Sequence, residues 1–310
     1  MARLELVLLG GFQARLEPGG PINLPTRKAQ ALLAYLALPA GRPHARDTLA
    51  ALLWGNASQA QARGSLRKAL FWLRQALADA EALTVDGETV VLEATAVSID
   101  AGEFEGRVRR GSIAALETAT DLYRGDLLAG LTLQEAPFEE WLIGERERLR
   151  ELQIEALARL LAHQRQAGPV EDAILTALKL LAVDPLQEPV HRTLMRLYAQ
   201  AGRRGAALRQ YQACVTVLER ELRTQPEDAT RALYREILQS PGTGAPVSQA
   251  PAGGEPVAGG EPVAAARRSV AAPPGAGRPP LAMEAPLIGR ERELSRLTAL
   301  LDDAWAEAGA

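Results

Sequence analysis

The sequence predicts a mainly helical protein with a small β component, built as two successive units. Three observations carry this prediction. Strand-like segments and a hairpin signal flank three short helices within residues 1–100. From Ile113 onward the apolar pattern is helical, and inside it Gly168 and Gly202 stand 34 residues apart. From Ser240 to about Pro286 the chain turns rich in Pro, Gly and Ala, with no apolar periodicity to support a core. At 310 residues there is room for about two ordinary domains.

The first 25 residues read as a small antiparallel sheet. LELVLL and FQARLE alternate, Pro18–Gly20 makes a turn, and PINL follows as a third strand. Thr26 is placed to cap a helix in RKAQALLAYLAL, where Ala29, Leu32, Leu33 and Leu36 recur at helical spacing and Pro39 ends the run. Asp47–Trp54 makes a second, short helix that Gly55 and Asn56 terminate, and Ser58 can cap the third, spanning about 58–79. Beyond it LTVDGETVVLEATAVSI changes to a period of two around Asp86-Gly87, a hairpin signal, with the alternation continuing to Ile99.

Charge is uneven. The formal net charge is -3, yet Arg27 to Arg74 holds eight Arg or Lys against one acid, Asp47, while 101–239 is close to neutral. The basic region centres on QARGSLRKALFWLRQAL, Gln61 to Leu77. On a helical wheel Ala62, Leu66, Ala69, Leu70, Leu73, Ala76 and Leu77 form one apolar arc. Arg63, Arg67 and Arg74 share a flank, and Phe71, Gly64, Gln75 and Lys68 cover the back, with no acid on that face. A helix serving solubility alone mixes signs so that i,i+4 pairs form, whereas unpaired guanidiniums suit a polyanion. Arg can bond guanine O6 and N7 together or clamp a phosphate, and the major groove admits a helix. Gly64 costs about 1 kcal/mol against Ala in a helix; close approach of a backbone and simple packing both explain it. For Trp72, at the edge of the apolar arc, packing is the preferred reading. The helix alone fits a solvated basic face equally well. Two short helices before it and a hairpin after it are the parts of a winged helix-turn-helix domain, whose third helix enters the major groove.

With that order in place, LLGGFQARLEPGGPINLPTRKAQALLAYLAL, LAALLW and QARGSLRKALFWLRQAL resemble the OmpR-type winged helix at the front of SARP-type antibiotic regulatory proteins. The resemblance implies a DNA-binding domain over 1–100. It places Arg63, Ser65, Arg67, Lys68 and Phe71 toward the groove and Arg74 toward phosphates, with Arg27 and Lys28 as further backbone contacts on double-stranded promoter DNA.

Over 101–239 two stretches share one pattern. Leu160, Gly168, Ala173, Ala177 and Leu180 are matched by Leu194, Gly202, Ala207, Tyr211 and Cys214 at a period of 34, that of the tetratricopeptide (TPR) repeat. The pattern predicts an all-α TPR-like domain, with small residues where paired helices approach closely. A chance match within an ordinary bundle is the alternative. No Pro stands in the second copy where Pro185 ends the first, so a long regular solenoid is not expected. LYRGDLLAGL, EEWLIGERERLR and DPLQEPVHRTLMRLYAQAGRRGAALRQYQACVTVLEREL also resemble the bacterial transcriptional activator domain of the same regulators. That resemblance implies a module for self-association, as in a homodimer, or for contacts with RNA polymerase. Glu139, Glu140, Arg146, Arg148 and their neighbours read as a solvated helix face.

Residues 240–285 read as a disordered linker and 286–310, with PLIGREREL, as resembling the leading edge of an AAA- or STAND-type NTPase module. No Gly-Lys pair exists for a P-loop, since the only lysines are Lys28, Lys68 and Lys179. His44, His163 and His191 fall in no metal-ligand spacing and Cys214 is the single cysteine. No enzyme, cofactor or metal is therefore implied. With no apolar run of about 18 residues, the expectation is a cytoplasmic transcriptional regulator, an activator, without membrane contact. The alternatives are a TPR-type interaction scaffold and the regulatory front of a signalling ATPase that does not touch DNA.

Overall fold

The structure is a computed structural model that describes residues 2–240. The linker and the NTPase-like segment expected beyond Ser240 lie outside the described residues.

The described residues are mainly helical with two three-stranded sheets. β1 (Arg3–Val7) and β2 (Gln13–Glu17) pair antiparallel, from Arg3↔Glu17 to Val7↔Gln13. The expected third strand, PINL, contributes only an isolated bridge between Arg15 and Pro21. The third strand is instead β6 (Val97–Ile99), on the other edge of the sheet, which pairs parallel to β1 through Leu4↔Val97 and Leu6↔Ile99. The alternation running to Ile99 therefore belongs to two sheets: after the hairpin the chain makes a short 3₁₀ turn and crosses to the N-terminal sheet.

Between these strands lie α1 (Arg27–Ala37), α2 (Arg46–Trp54) and α3 (Gln59–Ala76). Thr26 caps α1 by accepting from the Ala29 N–H, and Ser58 forms a capping box with Gln61 at the start of α3. The wing is β4 (Leu83–Asp86) and β5 (Thr89–Leu92), joined through Gly87 and Glu88, with the two-residue β3 (His44–Ala45) added along β5. Gly87 sits at φ +47, a backbone conformation that favours glycine at a tight hairpin turn.

The helical region begins earlier than the periodicity indicates. α4 (Asp100–Arg110) follows β6 directly and buries Ala101, Phe104 and Val108. α5 (Ile113–Leu122), α6 (Ala136–Ala167), α7 (Val170–Val183), α8 (Glu188–Gln200), α9 (Arg204–Leu222) and α10 (Asp228–Gln239) complete the described chain. Consecutive helices from α6 to α10 pack on one another. Ala173 and Ala207, the small residues predicted at helix crossings, are both fully buried. The two repeat glycines differ in backbone: Gly202 adopts φ +71, while Gly168 is extended and caps α6.

One hydrophobic core runs from Leu4 through the three helices and wing to Phe104, Leu116, Phe138 and Leu149, and a second gathers Ile154, Leu157, Leu161, Ala173, Leu180 and Leu194. α6 enters both. Its 32 residues form a rod about 48 Å long, with the first half sealed to the head and the second half starting the repeats. Backbone bonds tie the head to the loop between α5 and α6: Leu128 N donates to Leu8 O and Gly10 N to Asp126 O. The Asp100 carboxylate accepts from Leu8 N and Leu9 N at 2.8 and 3.0 Å.

The residues read as a solvated face on α6 are partly structural. Arg146 donates to the Leu127 and Leu128 carbonyls, Glu139 accepts from Leu133 N, and Arg148 spans Glu105 and Glu145. Apart from Glu145, which shares the helix, these partners arrive from other segments, which one helix's periodicity does not show.

Candidate nucleic-acid interface

α3 is held from below. Ala62, Leu66, Ala69, Leu70 and Leu73 are buried against α1 and α2, leaving the opposite face to solvent. On that face Arg63, Arg67, Lys68 and Arg74 are exposed, Ser65 is half-buried, and Phe71 is 61% exposed. A phenylalanine that exposed gains nothing from the core. Trp72 instead packs partly buried against the core, with the Lys68 ammonium 5.0 Å from its ring centre.

The face is not free of acid. Arg63 Nε and Nη2 donate to Asp47 Oδ1 and Oδ2, both at 2.8 Å, across from α2. These bonds hold the Asp47 carboxyl below its usual range and raise the Arg63 guanidinium, which also feels Glu88 at the wing turn. The expectation of an unpaired basic face is thus corrected at Arg63. Arg74 is tied too, its Nη2 donating to Val85 O on the wing at 3.3 Å. Arg46 braces the same hairpin, its backbone N–H donating to Glu88 O. Arg74 thus joins α3 to the wing, and Arg46 joins α2 to it. The Arg67 side chain has no hydrogen bond or ion pair among the described residues.

At the start of α1 the two candidates part company. Arg27 is exposed. Lys28 is half-buried: its Nζ lies 2.7 Å from Glu135 Oε1 and 5.5 Å from the Trp54 ring centre. Glu135 is buried, and its Oε2 has no partner among the described residues. The backbone contact expected of Lys28 thus falls on a cation that already pairs a buried carboxylate within the fold. Glu135 stands 107 residues away, so the sequence carries no local sign of the pair.

Gly64 lies on the exposed side of α3, where an added Cβ would meet nothing within 4 Å. Packing among the described residues therefore does not account for it. Elsewhere, His191 is buried with Nε2 3.0 Å from Pro185 O and Nδ1 2.7 Å from Gln210 Nε2. A carbonyl only accepts, so Nε2 carries the proton; burial pushes the His191 pKa down. The described residues hold no cluster of His, Cys, Asp or Glu fit for a metal ion, and none of their helices is long and apolar enough to cross a membrane.

Residues 98–238 match the bacterial transcriptional activator domain. The match starts at β6 and spans the helices beyond it, so the winged head lies outside it. The transcriptional regulatory protein EmbR of Mycobacterium tuberculosis is 28% identical over 258 residues, covering 76% of this chain and 64% of its own. The chain thus spans a little under two thirds of EmbR. The transcriptional regulatory protein MoaR1 of the same organism is 25% identical over 251 residues, covering 76% of this chain and 79% of its own. A solved structure of Mycobacterium tuberculosis EmbR, in complex with a low affinity phosphopeptide, superposes with a TM-score of 0.59 at 24% identity over 77% of this chain and 65% of that one. This likeness shows a shared fold. The domain match and the two regulators make this chain similar to bacterial transcriptional regulators.

Proposed function

We propose that the chain is a sequence-specific transcriptional activator that inserts α3 into the major groove of promoter DNA. The observation that carries this reading is the outer face of α3: exposed Arg63, Arg67, Lys68 and Phe71 on a core-anchored helix, braced by the wing through Arg74. Gly64 adds to it, since an exposed helical glycine with no neighbour suits close approach of a phosphate backbone. Arg27 stands outside this face as a further backbone contact, and the wing meets the flanking phosphates. The head occupies 1–100 and the TPR-like activator unit 101–239, whose paired helices serve self-association or contacts with RNA polymerase. The protein works in the cytoplasm and performs no catalysis.

Selection of bound duplexes from a random pool, followed by competition against bulk DNA across a salt series, tests the reading. A preferred sequence is expected, with affinity falling steeply as salt rises. Equal binding to all duplexes would overturn sequence-specific regulation and favour the repeat domain acting as an interaction scaffold.

A further inference from the structure

We infer that Asp47 is a positioning residue for Arg63, orienting its guanidinium so that one edge reads a single base pair; this rests on α3 being the DNA-reading helix. The two bonds from Nε and Nη2 to the Asp47 carboxylate fix the guanidinium plane. Five N–H groups are available on an arginine. Asp47 takes two of them, on the Nε/Nη2 edge. The Nη1/Nη2 edge keeps two parallel N–H groups, the pair that guanine O6 and N7 accept.

The pair does little for the fold itself. Arg63 and Asp47 side chains are 52% and 55% exposed, and exposed ion pairs contribute little to stability. For a helix that only clamps phosphates, an acid here is a handicap, since it repels the polyanion. An acid that orders a long, flexible side chain before binding instead removes an ordering cost and rejects bases that do not fit. The backbone beneath is rigid: Asp47 stands in the first turn of α2, whose Leu49 and Leu53 are fully buried. Glu88 faces the same guanidinium from the wing turn. Arg67, one turn along, has no such partner among the described residues and stays adaptable between base and phosphate.

The experiment uses the full chain and duplexes selected from a random pool by the wild-type protein, each base pair then substituted in turn and competed against bulk DNA. Arg63→Ala identifies the base pair that Arg63 reads. Asp47→Ala is expected to flatten preference at that base pair by about tenfold, leave the other positions unchanged, and bind bulk DNA as well as or better than wild type. Asp47→Asn, which keeps one acceptor, should fall between. Thermal melts accompany each variant, and Asp47→Asn carries the test if Asp47→Ala does not fold. A uniform loss at every position, or an unchanged preference at the Arg63 base pair, would overturn the inference while leaving the role of α3 intact. A wild-type protein with no preference among duplexes would instead overturn the role of α3 itself.

Discussion

Two basic regions of this chain look alike in sequence and differ in the fold. The outer face of α3 presents Arg67 and Lys68 to solvent, while Lys28, at the first turn of α1, is closed against Glu135 at the start of α6. In both, a cation sits on a helix whose other side builds the core. What separates them is the packing partner. α3 faces outward between α2 and the wing, whereas the start of α1 lies under the junction with α6. A buried carboxylate needs a cation, and the junction supplies Lys28. A solvent-facing helix has no such demand, so its cations remain available to a ligand.

The largest expected effect breaks the junction. Lys28→Ala leaves the Glu135 carboxylate buried with neither oxygen paired and should cost about 3 kcal/mol of stability, read as a shift in chemical denaturation midpoint. Glu135→Gln should cost less, because the Lys28 side chain is 30% exposed and its ammonium can rehydrate. Equal losses would show that the two ends of the pair are not asymmetrically buried. On α3 the same kind of change acts on binding instead. Arg67→Ala should leave the melt unchanged and weaken specific DNA binding by about 1 to 3 kcal/mol, measured by titration at fixed salt; a destabilised fold with unaltered binding would reverse the comparison.

Gly64→Ala sharpens it further, because one substitution should move the two properties in opposite directions. The fold gains about 1 kcal/mol from helix propensity, and DNA affinity falls if a phosphate backbone approaches there. The smallest effect lies away from both regions. Burial holds His191 neutral in the fold, with its pKa below the ordinary 6.5, so below about pH 6.5 the unfolded chain takes up the proton more readily. Stability is therefore complete above that pH and declines as pH falls through it. The decline should be shallower in His191→Gln, by less than about 1 kcal/mol per pH unit, in melts between pH 7.5 and 5.5.

Local signals were legible in the sequence. The Thr26 and Ser58 caps, the turn at Gly87 and the helix breaks near Gly168, Asp184 and Gly202 depend on residues a few positions apart, and each stands where expected. Long-range pairings were not. β6 joins β1 across more than ninety residues of chain, and its alternation resembled a continued wing. α4 escaped notice because Gly102 and Gly106 dilute a short apolar pattern of Ala101, Phe104 and Val108. The site shows the same division. The exposed face of α3 follows from its own period, whereas the partners of Arg63 and Lys28 come from elements 16 and 107 residues away.

Insertion of α3 into the major groove is read out by guanine N7 methylation protection on a duplex selected by the wild-type protein. Protected guanines are expected within the bound site, with protection lost at separate positions in Arg63→Ala and Arg67→Ala. Protection that persists unchanged in both variants, at unchanged affinity, would contradict that insertion.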